Sequence, residues 1–131
     1  MFNKPFSSSR WSLVVLLTFL TIGCARAHRP DGQQLRGVWR SDTYVGQLGE
    51  SVDTLCFHDD GTAASLLQTQ AGPIALKGRY SLSGENLTLD FKDAASGPVT
   101  VNARLRDGTL TLVHEGEARR YRKTHSRCPV P

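Results

Sequence analysis

Residues 98–114 read PVTVNARLRDGTLTLVH. Apolar and polar residues alternate on both sides of Asp107-Gly108, a dipeptide typical of the tight turn in a β-hairpin. A period of two turns one face of each strand toward a core and the other toward water. The stretch therefore predicts two antiparallel strands, residues 98–106 and 109–115, that are buried on one side only.

The same pattern recurs along the chain. With Asp107-Gly108, the turn signals follow one another about 8 to 13 residues apart, the others being Asp60-Gly61, Gly72-Pro73, Ser83-Gly84, Ser96-Gly97 and Glu115-Gly116. Together they predict eight strands, at roughly residues 35–47, 51–58, 62–70, 74–82, 86–92, 98–106, 109–115 and 118–123. An open sheet would leave two exposed edges, which closure removes. We therefore predict an all-β fold, a small antiparallel up-and-down barrel of about eight strands.

A secretory signal precedes this domain. Lys4 and Arg10 are the only charged residues before an apolar run at 13–22, which ends at Gly23-Cys24. The run is too short to cross a bilayer as a permanent helix. Thr21-Ile22-Gly23-Cys24 resembles the bacterial lipobox, which implies that residues 1–23 are removed and that Cys24 becomes a lipidated N-terminus. Residues 24–34 would then be a tether, and 35–131 the barrel domain.

A second cleavage site competes with the lipobox. Ala25-Arg26-Ala27 fits ordinary signal peptidase, which would discard Cys24 and release a soluble periplasmic protein that starts at His28. If Cys24 is retained, the residue after it is Ala25 rather than the Asp that commonly keeps such lipoproteins in the inner membrane. The resemblance then implies anchoring in the outer membrane, with the domain facing the periplasm.

Cys56 and Cys128 remain once Cys24 is lipidated or removed. In the oxidising compartment that the signal indicates, two remaining thiols predict one disulfide. It would tie the second strand to the C-terminal tail.

Several short motifs along the strands resemble the small lipocalin-like lipoproteins of bacteria, relatives of the lipocalin and avidin barrels (calycins). The motifs are Leu35-x-Gly37-x-Trp39, Phe57-x-x-Asp60-Gly61-Thr62, Gly78-x-Tyr80, Leu87-Thr-Leu89 and Leu110-Thr-Leu112. The resemblance implies that Trp39 closes one end of the barrel and that an arginine late in the last strand, Arg120 or Arg122, packs over its ring as a cation–π pair.

The number of large inward residues predicts a filled interior. Five aromatic residues and about ten Leu and Val would occupy most of a narrow barrel, the aromatic ones being Trp39, Phe57, Tyr80, Phe91 and Tyr121. Recognition is then expected at the rim, on residues 44–50 and 68–73. The candidate partner residues in these loops are Tyr44, Gln47, Gln68 and Gln70.

No catalytic constellation stands out. His58-Asp59-Asp60 is interpreted as a turn rather than a metal site, and His114 with Glu115 and Glu117 as a turn at the rim. The basic run at 119–123 is interpreted as a solvated strand face, and an exported chain is a poor candidate for nucleic-acid binding. We predict a protein that is not an enzyme and has no metal, cofactor or nucleic-acid partner.

The function predicted from the sequence is that of an outer-membrane-anchored lipoprotein whose non-catalytic barrel binds a small apolar ligand or an envelope protein. The alternative is a periplasmic inhibitor or immunity protein against a lysozyme or a toxin. The sequence leaves the oligomeric state open.

Overall fold

The computed structural model describes residues 31–130. The signal peptide, Cys24, the Ala25-Arg26-Ala27 site and most of the predicted tether lie outside these residues. One helical turn, α1 (Gly32–Leu35), is followed by nine strands. They are β1 (Gly37–Ser41), β2 (Tyr44–Gly46), β3 (Gly49–Phe57), β4 (Thr62–Thr69), β5 (Gly72–Ser83), β6 (Asn86–Phe91), β7 (Val99–Arg106), β8 (Thr109–His114) and β9 (Glu117–Thr124).

Each strand from β3 to β9 pairs antiparallel with its sequence neighbour. The sheet closes because β1 pairs with β9 on one side and with β3 on the other. Strand β2 also pairs with β3 and continues the line of β1, so eight of the nine strands form the wall. The predicted all-β, closed antiparallel barrel is confirmed.

The predicted hairpin turns form with the expected backbone. Asp107 and Gly108 have φ angles of 48° and 75°, and Glu115 and Gly116 have 49° and 82°. Two successive residues with positive φ make the type of two-residue turn that matches the twist of the flanking strands. These turns place β7, β8 and β9 side by side as consecutive antiparallel strands.

The first predicted strand, residues 35–47, is interrupted. Trp39 lies opposite Leu55 in the β1–β3 pair, whereas Tyr44 lies opposite Ser51 in the β2–β3 pair. The first segment therefore carries one residue more than the stretch of β3 it faces, which is a β-bulge. The alternating pattern does not reveal this extra residue, because Ser41, Asp42 and Thr43 are all polar.

One end of the barrel is packed and is called the closed end. The β3–β4, β5–β6 and β7–β8 turns lie at this end, and α1 covers it. The Asp31 carboxylate accepts a hydrogen bond from the Gln34 backbone N–H at 2.7 Å, which caps the helical turn. Trp39 Nε1 donates to the Leu35 carbonyl at 2.7 Å, and both side chains are buried. Residues 32–34 of the predicted tether thus belong to this cover.

The cation that lies over the Trp39 ring is Lys123, with Nζ 5.6 Å from the ring centroid. The prediction of Arg120 or Arg122 for this contact is wrong. Tyr121 points inward, so the alternation along β9 turns both arginines outward, and they are exposed. Lys123 shares the inward side and reaches over Trp39 at the closed end.

Gly37 leaves room for this lysine. A Cβ at Gly37 would lie 2.9 Å from Lys123 Cε, and its φ of +119° is a conformation that L side chains rarely adopt. The Gly-x-Trp motif therefore has a local physical basis: the glycine admits the lysine stem, and the tryptophan two residues later supplies the ring under its charge.

A disulfide joins Cys56 to Cys128, as predicted, across a sequence separation of 72 residues. It lies outside the barrel wall, where the C-terminal tail covers an apolar patch on β1, β3 and β4. Val38, Ala64 and Val130 are buried in this patch. A loop of this length restricts the unfolded chain by roughly 4 kcal/mol in the chain-entropy treatment.

We predict that Gly78→Ala severely destabilises the barrel. A Cβ at Gly78 would lie 1.9 Å from the Asp90 carbonyl oxygen and 2.7 Å from Phe91 Cα, and both atoms belong to the backbone of the paired strand. We expect a loss of at least about 2 kcal/mol in the free energy of unfolding, measured by urea denaturation. Gly32→Ala, where no heavy atom lies within 4 Å of the new Cβ, is the control and should leave stability nearly unchanged. Equal losses of stability in the two variants would contradict the predicted clash between a Gly78 Cβ and the paired strand.

Candidate functional site

The end opposite α1 opens into a cavity of about 970 Å³, called the mouth cavity. This volume lies within the range of roughly 300–1,000 Å³ that is typical of small-molecule sites. One part of the wall is apolar and consists of Leu55, Leu89, Phe91, Val101 and Leu112. The other part is polar and includes Asp42, Tyr44, Asp53, Ser65, His114, Glu117, Arg119 and Tyr121.

The prediction of a filled interior is therefore wrong for half of the barrel. Trp39 and Phe57 are fully buried at the closed end, whereas Phe91 is only partly buried and lines the cavity. The inward positions of β3 and β4 near the mouth hold Asp53 and Ser65, which are too small to fill the lumen. The number of large inward residues indicates how much of the lumen they can fill, but it does not indicate at which end of the barrel they lie.

A buried aspartate organises the polar wall. Asp53 is 8% exposed, and its two carboxylate oxygens accept hydrogen bonds from Ser65 Oγ and from the Tyr121 hydroxyl, each at 2.9 Å. Its backbone N–H donates to Ser41 Oγ at 2.9 Å, next to the bulge. These hydrogen bonds connect β3 to β1, β4 and β9, at a point where a buried charge requires such partners.

The surroundings shift the acidity of this pair. Burial raises the pKa of the Asp53 carboxyl, although hydrogen bonds from Tyr121 and Ser65 and the charge of Arg119 act in the opposite direction. Burial and the Asp53 carboxylate both raise the pKa of Tyr121 far above its usual value. The Tyr121 hydroxyl therefore remains a hydrogen-bond donor to Asp53 at physiological pH.

Arg119 lies at the edge of this network. Its guanidinium carbon is 3.7 Å from the centroid of the Tyr44 ring, a cation–π contact between β9 and β2. Partial burial raises the pKa of Tyr44, and the Arg119 charge opposes that shift. Sequence reasoning did not single out Arg119, but its position two residues before the inward Tyr121 would have identified it.

The two loops predicted to recognise a partner lie together at the mouth. A Cβ at Gly49 would fall 2.8 Å from Gln70 Cδ, so the β2–β3 and β4–β5 hairpins are in contact. Tyr44 and Gln47 line the mouth cavity. Gln68 and Gln70 are exposed and do not line it.

The remaining polar motifs have structural roles. The Asp60 carboxylate accepts hydrogen bonds from the Thr62 backbone N–H at 3.0 Å and from its hydroxyl at 2.6 Å, which closes the β3–β4 turn. Asp59 forms an ion pair with Arg36. His114 Nε2 lies 3.8 Å from a Glu115 carboxylate oxygen at the rim. Within residues 31–130, no three His, Cys, Asp or Glu side chains are grouped so that they could hold a metal ion.

Residues 31–130 also contain no helix that is long and apolar enough to cross a membrane.

Solved structures of similar shape come from Bacteroides. A lipocalin-like protein from Bacteroides uniformis superposes with a TM-score of 0.55 at 20% identity, over 69% of this chain and 98% of that one. The fold is lipocalin-like. A protein from Bacteroides thetaiotaomicron gives a TM-score of 0.54 at 22% identity over 72% of this chain and 92% of its own. One from Bacteroides eggerthii gives 0.51 at 16% identity over 69% and 99%.

No family model matches the sequence. No curated protein matches it either. At these identities the structural likeness establishes the lipocalin-like fold alone, and the site must be interpreted from its own residues.

We predict that Asp53 makes the stability of the barrel fall as the pH rises. Its pKa is raised from the usual value of 3.8, so the folded state binds the proton more tightly than the unfolded chain does. Its contribution to the free energy of unfolding is fully present below pH 3.8 and is lost as the pH rises through the raised pKa.

Urea unfolding of the wild-type protein and of Asp53→Asn at several pH values above 3 measures this effect. The wild-type advantage should shrink with increasing pH, because asparagine does not titrate and the other groups cancel in the difference. A difference that is constant with pH would contradict the raised pKa.

Proposed function

We propose that this protein is a lipid-anchored, non-catalytic binding protein of the bacterial outer membrane, and that its barrel holds a small ligand in the mouth cavity. The open cavity is the observation that supports this proposal most directly. A structural barrel would gain stability by filling its lumen, since each void forfeits packing contacts. Here the packed core stops halfway, and an apolar wall faces several polar groups, as in small-molecule sites.

Rigidity supports the same function. Asp53, Ser65 and Tyr121 connect three parts of the wall by hydrogen bonds inside the barrel. The disulfide fixes the C-terminal tail against β3 from outside. A site whose walls are held before the ligand arrives loses less entropy on binding.

Anchoring at Cys24 would orient the barrel. The first described residue, Asp31, belongs to the cap of α1 at the closed end. Six residues separate Cys24 from Asp31, which corresponds to an extended length of roughly 20 Å. The closed end would therefore face the membrane, and the mouth would open into the periplasm.

Recognition of a protein is the second candidate function, which includes inhibition of a lysozyme or a toxin. The β2–β3 hairpin favours it, because Val45 is 81% exposed and Leu48 is 45% exposed beside the mouth. Single exposed apolar residues are common on protein surfaces, whereas these two lie on one hairpin and would form one apolar contact for a protein partner.

We predict that Leu89→Trp blocks ligand binding. Leu89 is partly buried in the apolar wall, so an indole at this position would enter the cavity. We expect N-phenyl-1-naphthylamine, a neutral fluorescent probe, to bind the Cys24→Ser chain purified without detergent and to bind the Leu89→Trp form at least about tenfold more weakly.

Thr88→Trp is the matched control, because Thr88 is the preceding residue on the same strand and points outward. It should leave probe binding unchanged. If the wild-type cavity does not bind the probe, the ligand-binding function is contradicted. If Leu89→Trp retains capture of an envelope protein, the second candidate function gains support.

We predict that the mature protein begins at an acylated Cys24. Mass spectrometry of protein extracted from bacterial envelopes should give an N-terminal peptide that starts at Cys24 and carries a diacylglyceryl group and an N-linked acyl chain. Cys24→Ser should move the protein into the soluble periplasmic fraction. An unmodified N-terminus at His28 in the wild-type protein would show that the Ala25-Arg26-Ala27 site is used instead.

A further inference from the structure

The barrel wall separates the four basic residues between 119 and 123, so Arg119 lies on a different side from Arg120 and Arg122. Arg120 and Arg122 are exposed on its outer face. Arg119 is partly buried on the inner side of β9, where it pairs with Leu112 across the strand and lines the mouth cavity. Arg119 is thus a cation that the fold directs toward the site.

Tyr44 holds the Arg119 guanidinium in one orientation. A carbon-to-centroid distance of 3.7 Å places the charge against the ring face. The planar guanidinium carries five N–H donors around its edge, and stacking on a ring occupies its face rather than these donors. Tyr44 reaches this position because the bulge after β1 restarts the pairing at β2. The bulge therefore contributes directly to the placement of the guanidinium.

Arg119 forms no ion pair with a carboxylate of residues 31–130. The charge of Arg119 acts on the pKa of Asp53, but both carboxylate oxygens of Asp53 already accept hydrogen bonds from Ser65 and Tyr121. Asp42 and Glu117 also line the mouth but are exposed side chains in contact with water. A ligand that displaced water from the mouth would leave the guanidinium without solvation unless the ligand brought an anion.

We propose that the ligand is an amphiphile with an anionic head group, a carboxylate in the simplest case, and an apolar body. The head pairs with the Arg119 N–H edge beside Tyr44. The body lies against Leu89, Phe91 and Val101 in the apolar wall. This inference rests on the proposed ligand-binding function and adds the chemical class of the ligand.

Three probes with the same hydrocarbon chain test the head-group preference: decanoate, 1-decanol and decylammonium. Calorimetric titration of the Cys24→Ser chain at neutral pH, purified without detergent, should show decanoate binding about tenfold more tightly than decanol, because a charge-assisted hydrogen bond is made with Arg119. Decylammonium should bind more weakly than decanol.

Arg119→Gln should abolish the preference for decanoate and leave the affinity for decanol nearly unchanged. Arg122→Gln, which removes the same charge from the outer face of the same strand, is the matched control and should retain the preference. Arg119→Lys keeps the charge without the planar donor edge, and we expect it to retain only part of the preference.

The outcomes separate this inference from the function on which it rests. Equal affinities for all three probes, or a preference for decylammonium, overturn the anionic head group but leave ligand binding intact. Failure of the wild-type protein to bind any of the probes counts against both. If Arg119→Gln does not fold, Arg119 acts as a structural counter-ion to Asp53, and the three-probe comparison on the wild-type protein still decides the head-group preference.

Discussion

Closure of the sheet by β1 is the constraint on which the rest of the structure depends. This short strand pairs with β3 and with β9 at once, so it joins the first and last strands of the β3–β9 meander, which would otherwise leave the sheet open. The bulge that follows β1 then shifts the pairing by one residue and leads into β2. At the closed end the same strand places Trp39 over the bottom of the lumen, and at the mouth its continuation supplies Tyr44. Closure, core and mouth are therefore consequences of one segment of sequence.

The two ends of the barrel differ in how their inward positions are occupied. At the closed end, Leu35, Trp39 and Phe57 exclude water, and the indole N–H finds its partner in the Leu35 carbonyl. At the mouth, small and polar residues take the inward positions, and the lumen stays open. The packed half holds the strands in register, which allows the open half to exist without collapse. Stability and binding are thus separated along the barrel axis.

The alternating pattern was sufficient to predict the strands, their order and the closed barrel, because period two and regular turns restrict the topology strongly. It was not sufficient for the bulge, since Ser41, Asp42 and Thr43 are polar on both sides of the break. The family resemblance suggested Arg120 or Arg122 over Trp39. Because Tyr121 points inward, the alternation of side chains along β9 turns both arginines outward and places Lys123 on the inner side. The same alternation places Arg119 on the inner side of β9, so the sequence pattern contained the signal for this residue of the mouth cavity.

The cavity could not be predicted from composition. Composition gives the number of large side chains but not their positions along the barrel axis. Asp53 shows why this matters. An apolar residue at this position would avoid the desolvation of a carboxylate, and replacing buried polar groups by well-packed apolar ones is often neutral or stabilising. The chain instead keeps the aspartate, supplies Ser65 and Tyr121 as donors and places Arg119 within electrostatic reach. Such a network stiffens the wall beside the mouth cavity, where side chains do not fill the lumen. The polar residues of the mouth therefore replace part of the missing core, and they leave one guanidinium directed toward whatever enters.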